Sequence, residues 1–366
     1  MKCLVCKKEN KRTEIFCSFC RYPLGVKKIS EISQKELGIA LDSLIFATAK
    51  KRKKLFGGKK LEQIYDELLY AYWLRPESAL FRFVEAKILL GMKKKYLKYP
   101  VLDLGCGDGI FTSILFGGKI NKNYDSYSGV DFSQNDVFNT KAAIPKDFFE
   151  RKPPAIGFGL DIKENSAENA RKLGVYDRVE TGDARHLPFP NGSASSVFSN
   201  IIDDVKEKDL MQVFSEASRV LKKNGYFVFT VPTENFKKYL FYSNRANDFR
   251  KKGKMKEYAR FIGMDRGRSL WQGIPEKKLK NILGKTSFKM EKKIEYAGPE
   301  FIQLWDTGFR PFFHHLIALR NMLLKNSLYL PAKKVAVAIV REYFSSFARG
   351  QTGRGGAFAI IVVKKI

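Results

Sequence analysis

The sequence predicts an α/β fold, a doubly wound and mostly parallel sheet with helical insertions and a separate N-terminal element. Three observations predict it. The apolar run at 99–104 ends in the glycine-rich turn of "VLDLGCGDG" (101–109) and is followed by helix-forming residues. Strand-like and helical stretches then alternate from 157 to 232, as repeated β–α units do. A further apolar run, "GGAFAIIVVKK" (355–365), reads as a terminal strand.

The first strand is expected from Tyr99 to Leu104, bounded by Pro100 and Gly105. Gly105, Gly107 and Gly109 let the backbone turn tightly and approach a ligand closely. Ile110 to Phe116 opens a helix, and strand, glycine turn and helix N-terminus together make a cofactor site at a sheet edge. Taken alone, the segment also reads as a simple turn. "GFGLDIKENSAENARKLG" (157–174) is a second strand ending in Asp161, followed by a helix. An acid there is placed to accept hydrogen bonds from ribose hydroxyls. "VETGDARHLPFPNGSASSVFSN" (179–200) gives a strand, Asp183, a loop and another strand. "EASRVLKKNGYFVFTVP" (216–232) gives a helix, a Lys-Lys-Asn-Gly stop and a fifth strand, and "IPEKKLKNILGKTSFKMEKKIEYAG" (274–298) a crossover helix and a sixth.

With these motifs in order, the chain resembles the class I S-adenosylmethionine-dependent methyltransferases, whose sheet is Rossmann-like. The resemblance rests on Asp103 to Gly109, Leu160-Asp161, Gly182-Asp183-Ala184, Leu187-Pro-Phe189 and Arg219 to Gly225, within about 95–235. It implies that Gly105 and Gly107 pass beneath the methionine part of the cofactor, with Asp103 and Cys106 in the same loop. It also implies that Asp161 holds the ribose with Ile162 against adenine, and that Asp183 and the Ala184 backbone meet the adenine amino group. Asn200 follows the next strand in the same site. The "LPF" loop is most similar to the branch that acts on small molecules and lipids.

Two departures bear on this. The stretch 117–156 is long and contains "YSGVDFS" (127–133), so Asp131 competes with Asp161 for the ribose; Asp161 is preferred because the helix and the "GDA" segment follow it directly. Where many small-molecule members carry Glu-His, this chain has Asp203-Asp204. The catalytic residues are therefore unknown at this stage. A methyl on sulfonium is already activated, so in-line positioning of the acceptor can suffice. His186, His314 and His315 have no evident catalytic partners.

The chain has 366 residues and a formal net charge of +29, unevenly placed. Residues 1–100 hold 23 basic and 10 acidic groups, 101–200 hold 11 and 13, and 201–366 hold 33 and 15. The excess thus flanks a slightly acidic core, and either attracts RNA, an anionic membrane or an anionic substrate or reflects lysine as a default surface residue. No run of eighteen apolar residues suggests a membrane span, and a cytoplasmic protein is expected.

"CLVCKKENKRTEIFCSFC" (3–20) holds Cys3, Cys6, Cys17 and Cys20, two C-x-x-C knuckles ten residues apart. Such thiolates can converge on a structural zinc, so residues 1–26 are read as a zinc ribbon, 27–60 as a basic linker and 61–366 as the methyltransferase domain. From Leu61 an amphipathic stripe predicts helices covering the cofactor entrance. Insertions are read at 117–156, 234–271 and 299–350; the last two are expected to supply acceptor recognition, with 299–350 a substrate lid over the sheet or an apolar face on a membrane surface. The leading functional expectation is methyl transfer to a small, lipid- or glycan-linked acceptor. RNA, including ribosomal RNA, is the alternative acceptor, although "SNII" replaces the Asn/Asp-Pro-Pro-aromatic motif of base-amino methyltransferases. A zinc-ribbon binding protein with an inactive core is the third reading.

Overall fold

The structure, a computed structural model, describes residues 55–128 and 144–366 except 266, 272, 310 and 311, together with Glu9. Cys3, Cys6, Cys17, Cys20 and Asp131 lie outside the described residues.

The strand that carries the glycine loop, β1 (Val101–Leu104), is buried at every position, and that follows from its place in the middle of the sheet. It pairs in parallel with β4 (Gly157–Asp161) on one side and β6 (Ala194–Ser199) on the other. From β4 the sheet extends in parallel to β5 (Arg178–Thr181), and from β6 to β7 (Leu221–Pro232). Two antiparallel strands complete it: β9 (Phe358–Lys365) inserts between β7 and β8 (Phe288–Tyr296), giving the order β5-β4-β1-β6-β7-β9-β8. The order reverses at β1, which opens a crevice beyond the carboxyl ends of β1, β4 and β6.

Helices cover both faces. On one, α5 (Leu210–Val220) and α9 (Glu276–Lys285) bury Val213, Phe214, Ile282 and Leu283 against Leu102, Phe227, Phe229 and Ile361. On the other, α1 (Lys59–Ala71) and α2 (Pro76–Tyr96) pack with Val101, Phe198, Val228 and Ile360. The expected amphipathic helices are these two, and α2 is buried on most sides because α1 covers its outer face. The short α3 (Ile110–Leu115) follows the glycine loop, and α4 (Glu164–Leu173) packs Ala167 and Ala170 beside Cys106 and Val179.

Several boundaries differ from expectation. Strand β1 starts at Val101, since Pro100 has no N–H to give to a ladder. The tract read as a solvated linker through Lys60 is already folded at Phe56, which is buried with its ring 5.1 Å from Tyr65 and 4.7 Å from Phe83. Lys59 and Lys60 open α1.

The insertion at 117–156 contains a small ribbon of β2 (Lys119–Ile120) and β3 (Phe149–Arg151) and a buried carboxylate, Asp125. Asp125 accepts hydrogen bonds from Trp73 Nε1 (2.8 Å), from Arg320 Nε and Nη2 (3.0 and 3.1 Å) and from the Tyr329 hydroxyl. Burial alone would push its pKa up; the paired Arg320 guanidinium, the Lys333 charge and the Tyr329 hydroxyl together outweigh that and hold it below the usual carboxylate range. This pair ties the insertion to α11 (Phe313–Lys325) and α12 (Tyr329–Ser345), which arise some 190 residues later in the chain. The last insertion is thus helical as expected, beginning with α10 (Pro299–Thr307).

Candidate active site

At the end of β1 the backbone enters the left-handed region three times, with φ of +80° at Gly105, +57° at Gly107 and +77° at Gly109. Two of these glycines do different work. A Cβ on Gly105 would stand 2.3 Å from Ile201 Cγ1, so the loop after β6 closes directly on it. A Cβ on Gly107 would meet nothing within 4 Å, and Gly107 forms part of a cavity wall. The neighbouring carboxylate, Asp161 at the end of β4, accepts the Gly107 N–H through Oδ2 (2.8 Å) and the Lys163 N–H through Oδ1 (2.9 Å). Ile162 beside it is 68% exposed, an apolar side chain left bare at the rim of the same cavity.

The cavity measures about 940 Å³ and is lined by Gly105, Cys106, Gly107, Asp161, Ile162, Asp183, Ala184 and Asn200. That size is at the upper end for a single ligand. Eight of the nine residues expected at the cofactor therefore come together. Asp103 does not line the cavity: it is buried and accepts the Tyr176 hydroxyl at 2.6 Å, its carboxyl pushed up to about 6 by burial. The Cys106 thiol is raised by burial and stays protonated, so it is no nucleophile. Asp183 is engaged by Arg185, whose Nη2 lies 2.6 Å from Oδ2, and this lowers the carboxyl's pKa.

Beyond the glycine loop the cavity continues into an aromatic chamber. Phe81 of α2 stacks on Trp305 of α10 at 5.0 Å, meets Phe358 edge-on at 5.0 Å, and Trp271 stands 5.9 Å from Trp305. Phe358 is there because β9 runs antiparallel to β7, which brings its first residue beside Pro232 at the carboxyl end. Arg268 lies 3.4 Å over the Trp305 ring and donates to Asp306 at 2.9 Å. Burial pulls its pKa down to about 10, so it remains charged at neutral pH.

Four polar residues line the same cavity: Arg82 and Glu85 of α2, Thr230 of β7, and Asp203 in the loop after β6. Glu85, fully buried, accepts from Arg82 Nη1 (2.7 Å) and from Thr230 Oγ1 (2.8 Å). Asp203 lines the cavity in the loop after β6, with its carboxyl pushed up to about 7 by burial and by neighbouring Asp204. Of this quartet only Asp203 had drawn notice in the sequence, as part of the Asp203-Asp204 pair and without a role. The signal was present: Arg82 and Glu85 are charges one helical turn apart inside the apolar run "ALFRFVEAKILL" (79–90). His186 and His315 do not line the cavity, and among the described residues no cluster of His, Cys, Asp or Glu could hold a metal ion.

A doubly wound sheet with a glycine loop and strand-end acids at its switch point defines a nucleotide-cofactor enzyme of the α/β class. Residues 144–229, from before β3 into β7, match the family model described as a methyltransferase domain, and the protein is an S-adenosylmethionine-dependent methyltransferase. No curated protein matches the chain. Among solved structures, a methyltransferase from Thermotoga maritima described as a possible histamine N-methyltransferase is 16% identical, covering 77% of this chain and 89% of that one with a TM-score of 0.37. Geranyl diphosphate C-methyltransferase from Streptomyces coelicolor, solved with S-adenosylhomocysteine, is 12% identical over 77% and 75% with a TM-score of 0.35. A chain from a complex between the Haloferax volcanii Trm112 methyltransferase activator and a methyltransferase is 13% identical over 82% of this chain and 97% of that one with a TM-score of 0.39. Scores this low carry no weight in choosing an acceptor.

Proposed function

We propose that the protein methylates a small acceptor with an apolar body, free or attached to a lipid or glycan. One observation carries this reading: the cavity runs without a break from the glycine loop into a chamber walled by Phe81, Trp305 and Phe358. Rings buried in this way remove water from an apolar acceptor and gain by covering it.

The residues present fit the cofactor. The open face of Gly107 and the turn at Gly105 leave room for its methionine part. Asp161 has the reach to take ribose hydroxyls, bare Ile162 suits an adenine face, and Asp183 and the Ala184 backbone suit the adenine amino group. Asn200 borders the same space. When bound, S-adenosylmethionine supplies a methyl group on a positively charged sulfur. The chain's own part is to orient and to manage a proton. The aromatic wall fixes the acceptor in line and excludes water. Asp203, with a carboxyl near 7, is suited to take the proton of an acceptor O–H or N–H, while the Arg82–Glu85–Thr230 set holds the floor of the chamber rigid.

The test is methyl transfer from radiolabelled cofactor into lipid and small-molecule extracts and, separately, into total RNA. Incorporation into the organic extract is expected, weakly salt-dependent and lowered by Trp271→Ala. Salt-sensitive incorporation into RNA alone would overturn the reading. The +29 charge supports that second reading, since phosphate neutralisation releases counterions and makes binding steeply salt-dependent.

The N-terminal cysteines support a further proposal of one structural zinc on Cys3, Cys6, Cys17 and Cys20, a four-thiolate donor set suited to that ion. Among the described residues no helix is long and apolar enough to cross a membrane.

A further inference from the structure

Between α6 (Phe236–Tyr239) and the cavity-lining Arg268, the chain makes a hairpin of α7 (Phe241–Lys251) and α8 (Met255–Asp265). Methyl transfer as derived above makes no use of it. Over 241–265 it carries seven basic residues, four of them lysine, against three acids, Asp248, Glu257 and the buried Asp265. Its inner side is closed by aromatic packing: Phe261 of α8 lies 5.1 Å from Phe249 and 6.1 Å from Tyr242 of α7. Its root is clamped to the site. Asp306 Oδ2 accepts the N–H groups of Phe241 and Tyr242 (2.9 and 3.0 Å), while Oδ1 accepts Arg268 (2.9 Å).

The tip, 251–256, is exposed at every position. It reads Lys-Lys-Gly-Lys-Met-Lys, with Met255 56% exposed. Leu270, at the root beside the cavity wall, is 76% exposed. Among the described residues no carboxylate forms an ion pair with Lys251, Lys252, Lys254 or Lys256. Unpaired lysines around a bare thioether chain suit the headgroup region of an anionic bilayer: the charges meet phosphates and the apolar chain leaves water. Single-stranded RNA fits less well, because the tip offers no aromatic ring on which a base could stack.

We infer that the α7–α8 hairpin docks the protein on an anionic membrane surface, with Met255 entering the headgroup layer and the four tip lysines facing lipid phosphates. Docking there sets the Arg268–Trp271 wall of the cavity beside the bilayer. The inference stands on the hairpin's own surface and holds whatever the acceptor is.

The experiment uses the full chain and phosphatidylcholine vesicles with or without about a quarter phosphatidylglycerol, read by co-sedimentation. The protein is expected to bind the mixed vesicles and not the neutral ones. The set K251Q/K252Q/K254Q/K256Q should lower binding by several hundredfold, since each lysine near the surface contributes roughly a factor of five. Met255→Ser should weaken it at unchanged charge. The control set K222Q/K223Q/K289Q/K292Q removes four exposed lysines from the opposite end of the sheet and should bind like the unaltered protein. Three outcomes would overturn the inference: equal loss in the control set, no loss in the tip set or in Met255→Ser, or a tip set that loses affinity for single-stranded RNA while still binding vesicles. Every lysine substitution is on the surface, and matching thermal melts show that folding is kept.

Discussion

Asp161 Oδ2 accepts the backbone N–H of Gly107 at 2.8 Å, so a single carboxylate at the end of β4 braces the glycine loop at the end of β1. The same side chain accepts the Lys163 N–H through its other oxygen. It therefore shapes the loop before any ligand arrives and remains within reach of one.

Asp161→Ala is expected to weaken S-adenosylmethionine binding by about 1–3 kcal/mol, the scale of hydrogen bonds to a charged group, which is about 5- to 150-fold in Kd. Titration calorimetry reads it directly. Unchanged affinity in this variant together with loss in Asp131→Ala would move the ribose contact to Asp131.

Gly105→Ala should destabilise the fold and the cofactor site together. The positive φ costs an alanine about 1–2 kcal/mol, and the new Cβ would meet Ile201 Cγ1 at 2.3 Å. Adding Ile201→Ala should relieve most of the clash, since it removes Cγ1 and Cγ2 and leaves only the Cβ at 3.0 Å, and should leave the backbone cost. Thermal unfolding of the two variants separates these contributions; a single variant as stable as the unaltered protein would show that the two loops do not press on each other.

Asp203 makes a pH prediction with a definite sign. Its folded carboxyl is raised to about 7 from the usual 3.8, so the folded state holds a proton that the unfolded chain releases above about pH 4. Stability from this group is present at low pH and is lost as pH rises toward 7. Asp203→Asn should remove that slope, making the variant gain on the unaltered protein between pH 4 and 8 in denaturant titrations. As a proton acceptor Asp203 works only when ionised, so turnover should rise with pH through about 7 and level off. The asparagine variant should lose that rising limb along with about 10²–10⁴ of the rate. A limb that survives the substitution would assign it to another group.

Metal analysis of the full chain should find one zinc, removed together with activity-neutral changes at the N-terminus when Cys3 and Cys6 are replaced by serine. Methyl transfer should persist in that variant if the zinc is structural only. Absence of zinc from protein purified without chelators would end the proposal.

Much of the glycine-loop half of the cavity is legible in the chain itself. Glycines and aspartates at strand ends are local signals: the chain writes them within a few residues of the turn they serve, and the period of the flanking apolar residues fixes the strand and helix around them. Asp103 shows the limit of such reading. Its motif position was legible, but its burial and its bond to the Tyr176 hydroxyl, 73 positions away in the chain, were not.

By itself, the sequence determined the alternating strands and helices, the glycine loop, Asp161 and Asp183 as strand-end acids, and the basic, aromatic character of the insertions. Tertiary structure alone decided which distant residues share the chamber. Phe81, Trp305 and Phe358 come from α2, α10 and β9 and meet only because β9 runs back along β7 while α2 lies across the sheet. Glu85 meets Thr230 across 145 positions of chain, and Asp125 meets Arg320 across 195. A charge inside an apolar helix announces that it needs a partner, because leaving it unpaired in the interior is costly. Which residue answers depends on the packing of whole elements, and no local pattern in the chain encodes that.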